Sequence, residues 1–350
     1  MNVKLIRLLV TCLAFLMPLA ALAQGFAGLG TQADGFAIPD RSTVLRFPQD
    51  HGAHPQYRIE WWYLTANLRD DTGQAYGVQW TLFRSALRPD DTPGWKNGQL
   101  WMGHAALTTA DQHYVAERLA RGGIGQAGVT AVPFSAWIDE WQMAGATLDN
   151  VSLRASGSEF SYDLSLQARG PLVLHGTHGY SVKSASGQAS HYYSQPRYEI
   201  TGTVTTPRGP VTVSGQGWFD REWSSQPLDQ DQTGWDWFSL SLEDGNKLMG
   251  FRLRGQDSVF TSGTWIGADG TTVPLLPGQF QARPLNSVQT AGRSLATSWQ
   301  VTVETRNLDL IIDALNPDAW MDTSFPYWEG PVQISGSHSG SGYLEMTGYE

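Results

Sequence analysis

The chain has almost no cysteine: Cys12 is the only one among 350 residues. That count rules out a disulfide framework, a thiolate metal site and a cysteine nucleophile outside the N-terminus. Positive charge is scarce as well. Lys and Arg number 23 against 33 Asp and Glu, a net charge of −10, which leaves no electrostatic footprint for nucleic acid or an anionic membrane face. Charged residues of both signs make up only 16%, against 41% hydrophobic, a balance that excludes a disordered chain. No G-x-S-x-G motif occurs, so the nucleophile turn of the α/β-hydrolases is missing. Beyond the N-terminus no segment approaches the apolar length of a membrane helix.

What is present begins with an export signal. Lys4 and Arg7 precede an apolar stretch from Leu8 to Leu16, Pro18 breaks it, and Ala21-Leu22-Ala23 offers a small-residue cleavage site before Gln24. Cleavage there removes Cys12, and Gln24 at the new terminus does not accept a lipid anchor. The expected location is therefore periplasmic or secreted, an uncleaved anchor being the alternative.

Fifteen Trp, 38 Gly and 18 Pro suit short strands joined by turns. From Arg58 the chain alternates through Tyr63 to Leu68, turns at Asp70-Asp71-Thr72-Gly73, and alternates again through Ala75 to Phe83. That is a hairpin. Similar runs continue to Tyr343–Thr347, and the only helix-like stretch, Tyr114–Leu119, is short. Strands at this density without crossover helices predict antiparallel barrels or sandwiches. One hairpin recurs: Trp61-Trp62-Tyr63 with its Asp-Gly turn is echoed by Trp235-Asp236-Trp237, Asp244-Gly245 and Met249-Gly250-Phe251. The repeat predicts two related β-domains in tandem, chance likeness of two hairpins being the plainer alternative. The expected division is a signal peptide at 1–23, a leader at 24–45, a first domain at 46–226 and a second at 227–350. Pro227 to Thr233 would be the link.

Chemistry-bearing candidates are few. His51 and His54, and His175 and His178, lie beside Gly or Pro in loops without H-e-x-x-h spacing, so structural histidines are expected there ahead of a metal site. The richest segment is Gly215 to Trp223. In a strand, Trp218, Asp220 and Glu222 point to one face, and Phe219, Arg221 and Trp223 to the other. A carboxyl buried among such rings gains pKa by desolvation, as a general acid requires. A structural Asp paired with Arg or capping a turn is the other reading. The hairpin through Pro207-Arg208-Gly209-Pro210 is expected to return Asp220 close to His191, at one barrel mouth.

Seven islands of sequence resemble the carotenoid 1,2-hydratase (hydroxyneurosporene synthase) family and its AttH-like secreted relatives, some of them labelled predicted secreted hydrolases. They are Phe47 to Tyr63, Leu174 to Lys183, Ala189 to Ser194, Gly217 to Ser224, Gly234 to Phe238, Tyr327 to Gly330 and Gly342 to Tyr349. The resemblance implies two tandem lipocalin-like antiparallel β-barrels, an all-β fold. It implies a reaction without metal or cofactor: water addition to an acyclic isoprenoid, with Asp220 as catalytic acid and His191 assisting. Trp218 stands where the hydratases carry tyrosine and Tyr193 where they carry tryptophan, while Arg221 and Glu222 replace their histidine and asparagine. Those differences place the chain with the secreted branch. The expected ligand is apolar, isoprenoid or lipid-like, with Trp218, Tyr193 and Trp235 as its aromatic contacts. Hydro-lyase and hydrolase chemistry both stay open. The alternative from a different class is a non-catalytic lipid carrier or an accessory protein of an ABC exporter.

Overall fold

The computed structural model describes residues 33–349 apart from Gln230 and Asp257. The signal at 1–23 and the start of the leader lie outside the described residues. Among those described there is no α-helix, only three single turns of 3-10 helix. Tyr114–Leu119, expected as helix-like, lies inside the strand His113–Arg121, paired along its whole length with Gln99–Thr108. Pairing overrides the weak local pattern there.

The strands form two antiparallel sheets, each curled into a near-barrel. In the first, Ile59–Arg69 lies between Ala75–Ala86 and the 18-residue strand Gly209–Gln226, which pairs on its far side with Ala189–Thr206. In the second, Gln232–Leu242 lies between Lys247–Gly255 and Gly340–Met346, which pairs on its far side with Tyr327–Gly336. The two sheets thus share one plan: an opening hairpin whose first strand is closed by the last strand of its own sheet. Even the hairpin turns match, with Gly73 and Gly245 both at positive φ, where a side chain would be strained. The run Gly123-x-Gly125-x-x-Gly128 turns out of His113–Arg121 and ends inside the strand Ala127–Thr130, opening no helix, so it is not a phosphate loop.

Period-2 alternation sends one set of residues inward and the other outward. Trp62, Leu64, Trp80, Phe219 and Trp223 fill the first barrel, and Phe238, Trp299 and Trp328 fill the second. The outward set meets between the sheets, where Tyr63, Trp218, Trp237, Phe251 and Tyr343 share a third cluster. Contact is close: a Cβ on Gly77 would collide with Pro331 of the second sheet. Arg197 fastens the same seam, donating to the carbonyls of Gly245 and Gly267 at 3.0 and 2.7 Å.

The first barrel also holds a buried ion cluster. Glu60 accepts from both Arg84 and Arg221, and the Arg221 guanidinium lies 3.8 Å from the Trp62 ring centre. Burial alone would raise the Glu60 carboxyl, but the two arginines outweigh it and hold it well below the usual range.

Candidate functional site

Between the sheets lies a cleft of about 800 Å³, its open mouth included. Eight aromatic side chains line it, among them Trp61, Tyr63, Trp235, Trp237 and Phe251, together with Lys183, Asp220, Glu222 and Glu345. The sequence of Gly209–Gln226 explains why carboxyls reach this apolar space. Asp220 and Glu222 have the parity that faces outward, while Phe219, Arg221 and Trp223 face the barrel interior.

Asp220 is fully buried and held by three donors. Trp218 Nε1 donates to Oδ1 at 2.7 Å, Tyr192 Oη donates to Oδ2 at 2.8 Å, and Ser194 Oγ donates to Oδ1. Behind them the network continues: His175 Nε2 lies 2.6 Å from Ser194 Oγ, His175 Nδ1 2.9 Å from Thr264 Oγ1, and Trp237 donates to Tyr192 at 3.3 Å. Burial pushes Asp220 up to about 7, against the pull of the three hydrogen bonds and with help from the Glu222 charge. Burial, then the Lys183 charge, keeps His175 neutral. Serine and tyrosine hydroxyls can turn to accept, so this network tolerates Asp220 with or without its proton.

Glu222 pairs with Lys183 Nζ at 3.0 Å, and that ammonium sits 3.7 Å from the Phe251 ring centre. Burial lowers the Lys183 pKa, with Glu222 opposing. The second sheet contributes Glu345, bonded by Trp235 Nε1 at 2.6 Å. Burial lifts Glu345 to about 8, the Trp235 bond opposing and the charges of Asp220 and Glu222 adding. Tyr63 and Trp237 stand directly opposite Asp220 and Glu345 in their respective sheets, so the shared plan places a carboxyl beside an aromatic on each side. Among the described residues no group of three or more His, Cys, Asp or Glu is arranged to hold a metal ion.

The sequence matches the AttH-like family over residues 38–349. The chain belongs to the AttH-like family. An AttH-type protein of Nitrosomonas europaea has a similar crystal structure, with a TM-score of 0.81 at 32% identity over 90% of this chain and 99% of that one. Kievitone hydratase from Nectria haematococca superposes with a TM-score of 0.66 at 14% identity, over 89% and 98% of the two chains. CghA, solved with Sch210972, gives 0.57 at 12% identity over 91% and 97%. These two likenesses concern the fold. Among curated proteins, none matches the sequence.

Of the residues expected at the site in this AttH-like protein, Asp220, Trp218 and Trp235 are brought to the seam between the sheets. His191 and Tyr193 are not. Ser194 stands directly opposite Asp220 in the ladder, so Tyr192 and Ser194 share the Asp220 face and their odd-numbered neighbours take the other. His191 packs against Trp223 at 5.4 Å between ring centres, its Nε2 without a hydrogen-bond partner, and burial lowers its pKa to about 4. Tyr193 bonds His51 Nδ1 at 2.6 Å inside the first barrel. The histidine connected to Asp220 is His175, through Ser194. His175 is expected from sequence as a structural loop histidine, and nothing in its Gly-flanked setting signals the strand it meets. Tyr192 and Ser194 were legible in principle from the parity of the long strand.

Proposed function

We propose that this AttH-like protein is exported and binds an apolar, isoprenoid or lipid-like molecule in the cleft, where it acts as a hydro-lyase without a cofactor. Asp220 donates a proton to an alkene carbon, the surrounding rings stabilise the cation that forms, and water adds to it. The observation that carries the reading is Asp220 itself, a fully buried carboxyl in the cleft wall whose pKa near 7 lets it hold a proton at neutral pH. A general acid works best with its pKa close to the working pH.

One observation favours a second reading, a non-catalytic carrier beside an ABC exporter. Three hydrogen bonds onto one carboxyl are also how a protein anchors a structural aspartate. The test begins with the protein purified from its native host, extracted with organic solvent, and the co-purifying molecule identified by mass spectrometry. That molecule is then incubated in isotopically labelled water with wild type and with Asp220→Asn. Uptake of labelled oxygen by wild type, falling about 10²–10⁴-fold in the variant, supports the hydro-lyase. Binding by both proteins with no conversion by either supports the carrier.

A further inference from the structure

A second polar chain reaches the same cleft from a different direction. His104, on the strand Gln99–Thr108, is completely buried and lines the cleft with Tyr327. Its Nδ1 lies 3.0 Å from the Tyr327 hydroxyl and its Nε2 lies 3.2 Å from Glu117 Oε1. The two rings stack, with centres 5.6 Å apart and planes 24° from parallel. Glu117 sits directly across the ladder from His104 and is partly exposed. From the loop that leads into Tyr327–Gly336, Ser324 donates its backbone N–H to Glu117 at 3.0 Å and its hydroxyl at 2.9 Å. A continuous line therefore runs from solvent through Glu117 and His104 to a hydroxyl on the cleft wall.

The polarity of that line follows from its members. A carboxylate held by two Ser324 donors only accepts, so His104 Nε2 carries the proton and Nδ1 presents a lone pair to Tyr327. Burial keeps the ring neutral, with Glu117 opposing. Burial also holds Glu329, the other hydrogen-bond partner of Tyr327, well above the usual carboxyl range, so that Glu329 keeps its own proton and leaves that of Tyr327 to His104. This is the ordering of nucleophile, base and orienting carboxylate, with a cleft water in the nucleophile's place.

We propose that Tyr327 and His104 are the basic half of the site, taking the proton from the water that adds to the cation. The proposal rests on the reading of Asp220 as the acid. The water oxygen bonds the cationic carbon, its O–H bond breaks, and that proton passes to the Tyr327 oxygen as Tyr327 hands its own to His104 Nδ1. The imidazolium pairs with Glu117. It then releases a proton to solvent along that exposed carboxylate while Asp220 regains one, so the sum is alkene plus water giving alcohol. Glu117 is a positioning residue, acting through His104.

Two measurements test this on the full mature chain. The first uses nitrogen-labelled histidine and NMR with no ligand. His104 is expected as the neutral Nε2–H tautomer, its Nδ1 signal moving in Tyr327→Phe, and Glu117→Ala should mix the tautomers. A His104 found as Nδ1–H overturns the proposal, because that nitrogen then has no lone pair for the proton. The second uses geraniol as the probe alkene, in deuterated and in oxygen-labelled water. Protonation of the alkene by Asp220 exchanges its hydrogens, whereas alcohol formation needs both halves of the site. Tyr327→Phe and His104→Leu should keep exchange and lose alcohol about 10²–10⁴-fold. Full alcohol formation in Tyr327→Phe, with Asp220→Asn inactive, overturns the basic half alone. Exchange and hydration both intact in Asp220→Asn overturn the reading of the acid.

Discussion

Replacing Asp220 by Asn should remove the pH dependence of stability that this one carboxyl imposes. Burial, opposed by three hydrogen bonds, raises Asp220 from 3.8 to about 7 in the folded chain. The unfolded chain keeps the ordinary value, so between the two the folded state binds more protons. Stability from this group is therefore complete below about pH 4 and drains away as pH rises to about 7, beyond which the folded chain carries a buried anion. Three pH units between the two states correspond to about 4 kcal/mol, of which about 3 kcal/mol is lost between about pH 5 and about pH 9. Asn has no charge to bury. Its Oδ1 still accepts from Trp218 and Ser194, and one amide N–H can donate to the Tyr192 hydroxyl. The second N–H stands where the acid keeps a lone pair, and a buried donor left unmet there costs about 1–3 kcal/mol that does not vary with pH. Asp220→Asn should therefore melt below wild type at about pH 5 and close the gap, or pass it, at about pH 9. The relative movement is about 4 °C for a chain of this length. Differential scanning calorimetry of both proteins across that range is the assay. Glu329 and Glu345 are also raised and present in both; burial, the first cause for each, is unchanged by the substitution, and Glu345 loses only the lesser push of the Asp220 charge. Parallel melting curves would mean that Asp220 is ionised throughout and has no proton to give, which would refute the acid role whatever the ligand.

Four further outcomes are expected. Ser194→Ala removes a donor that favours the anion, so the Asp220 midpoint should move above about 7, whereas His191→Phe, on the opposite face, should leave it in place; both are read by the same calorimetric comparison. Glu60→Ala strands Arg84 and Arg221 inside the first barrel and should cost about 3–5 kcal/mol in denaturant unfolding. Phe251→Ala strips apolar wall from the cleft and should weaken the co-purified molecule about tenfold to a hundredfold, measured by quenching of cleft tryptophan fluorescence. Intact mass of the exported protein should place its first residue at Gln24, and a mass still containing residues 1 to 23 would refute export by cleavage.

The fold was largely legible because its signals are local. Alternation marks strands, Asp-Gly marks the turns at Gly73 and Gly245, and the echoed hairpins give the plan that both sheets follow. The face bearing Trp218, Asp220 and Glu222 was legible for the same reason: parity within one strand is a property of sequence. What failed was the partner of Asp220. A hairpin brings His191 back near it, but whether the two side chains meet depends on register. The ladder sets Ser194 opposite Asp220, so a residue three positions away points through the sheet into the barrel. Glu345, Tyr327 and His104 were out of reach because they come to the cleft only when two sheets pack, and nothing along a strand encodes which outer faces meet.

Because the cleft is made from the outer faces of two walls that already have filled interiors, its lining and the barrels' cohesion answer to different residues on the same strands. On Gly209–Gln226 the even positions near Asp220 address the cleft, while Phe219 and Trp223 hold the barrel. Substitutions at Trp235, Phe251 or Leu253 then change the lining with little effect on either barrel core, so the shape of the cleft and the packing of its walls are separately adjustable. A scaffold arranged this way is modular: its seam can be re-cut without rebuilding either wall.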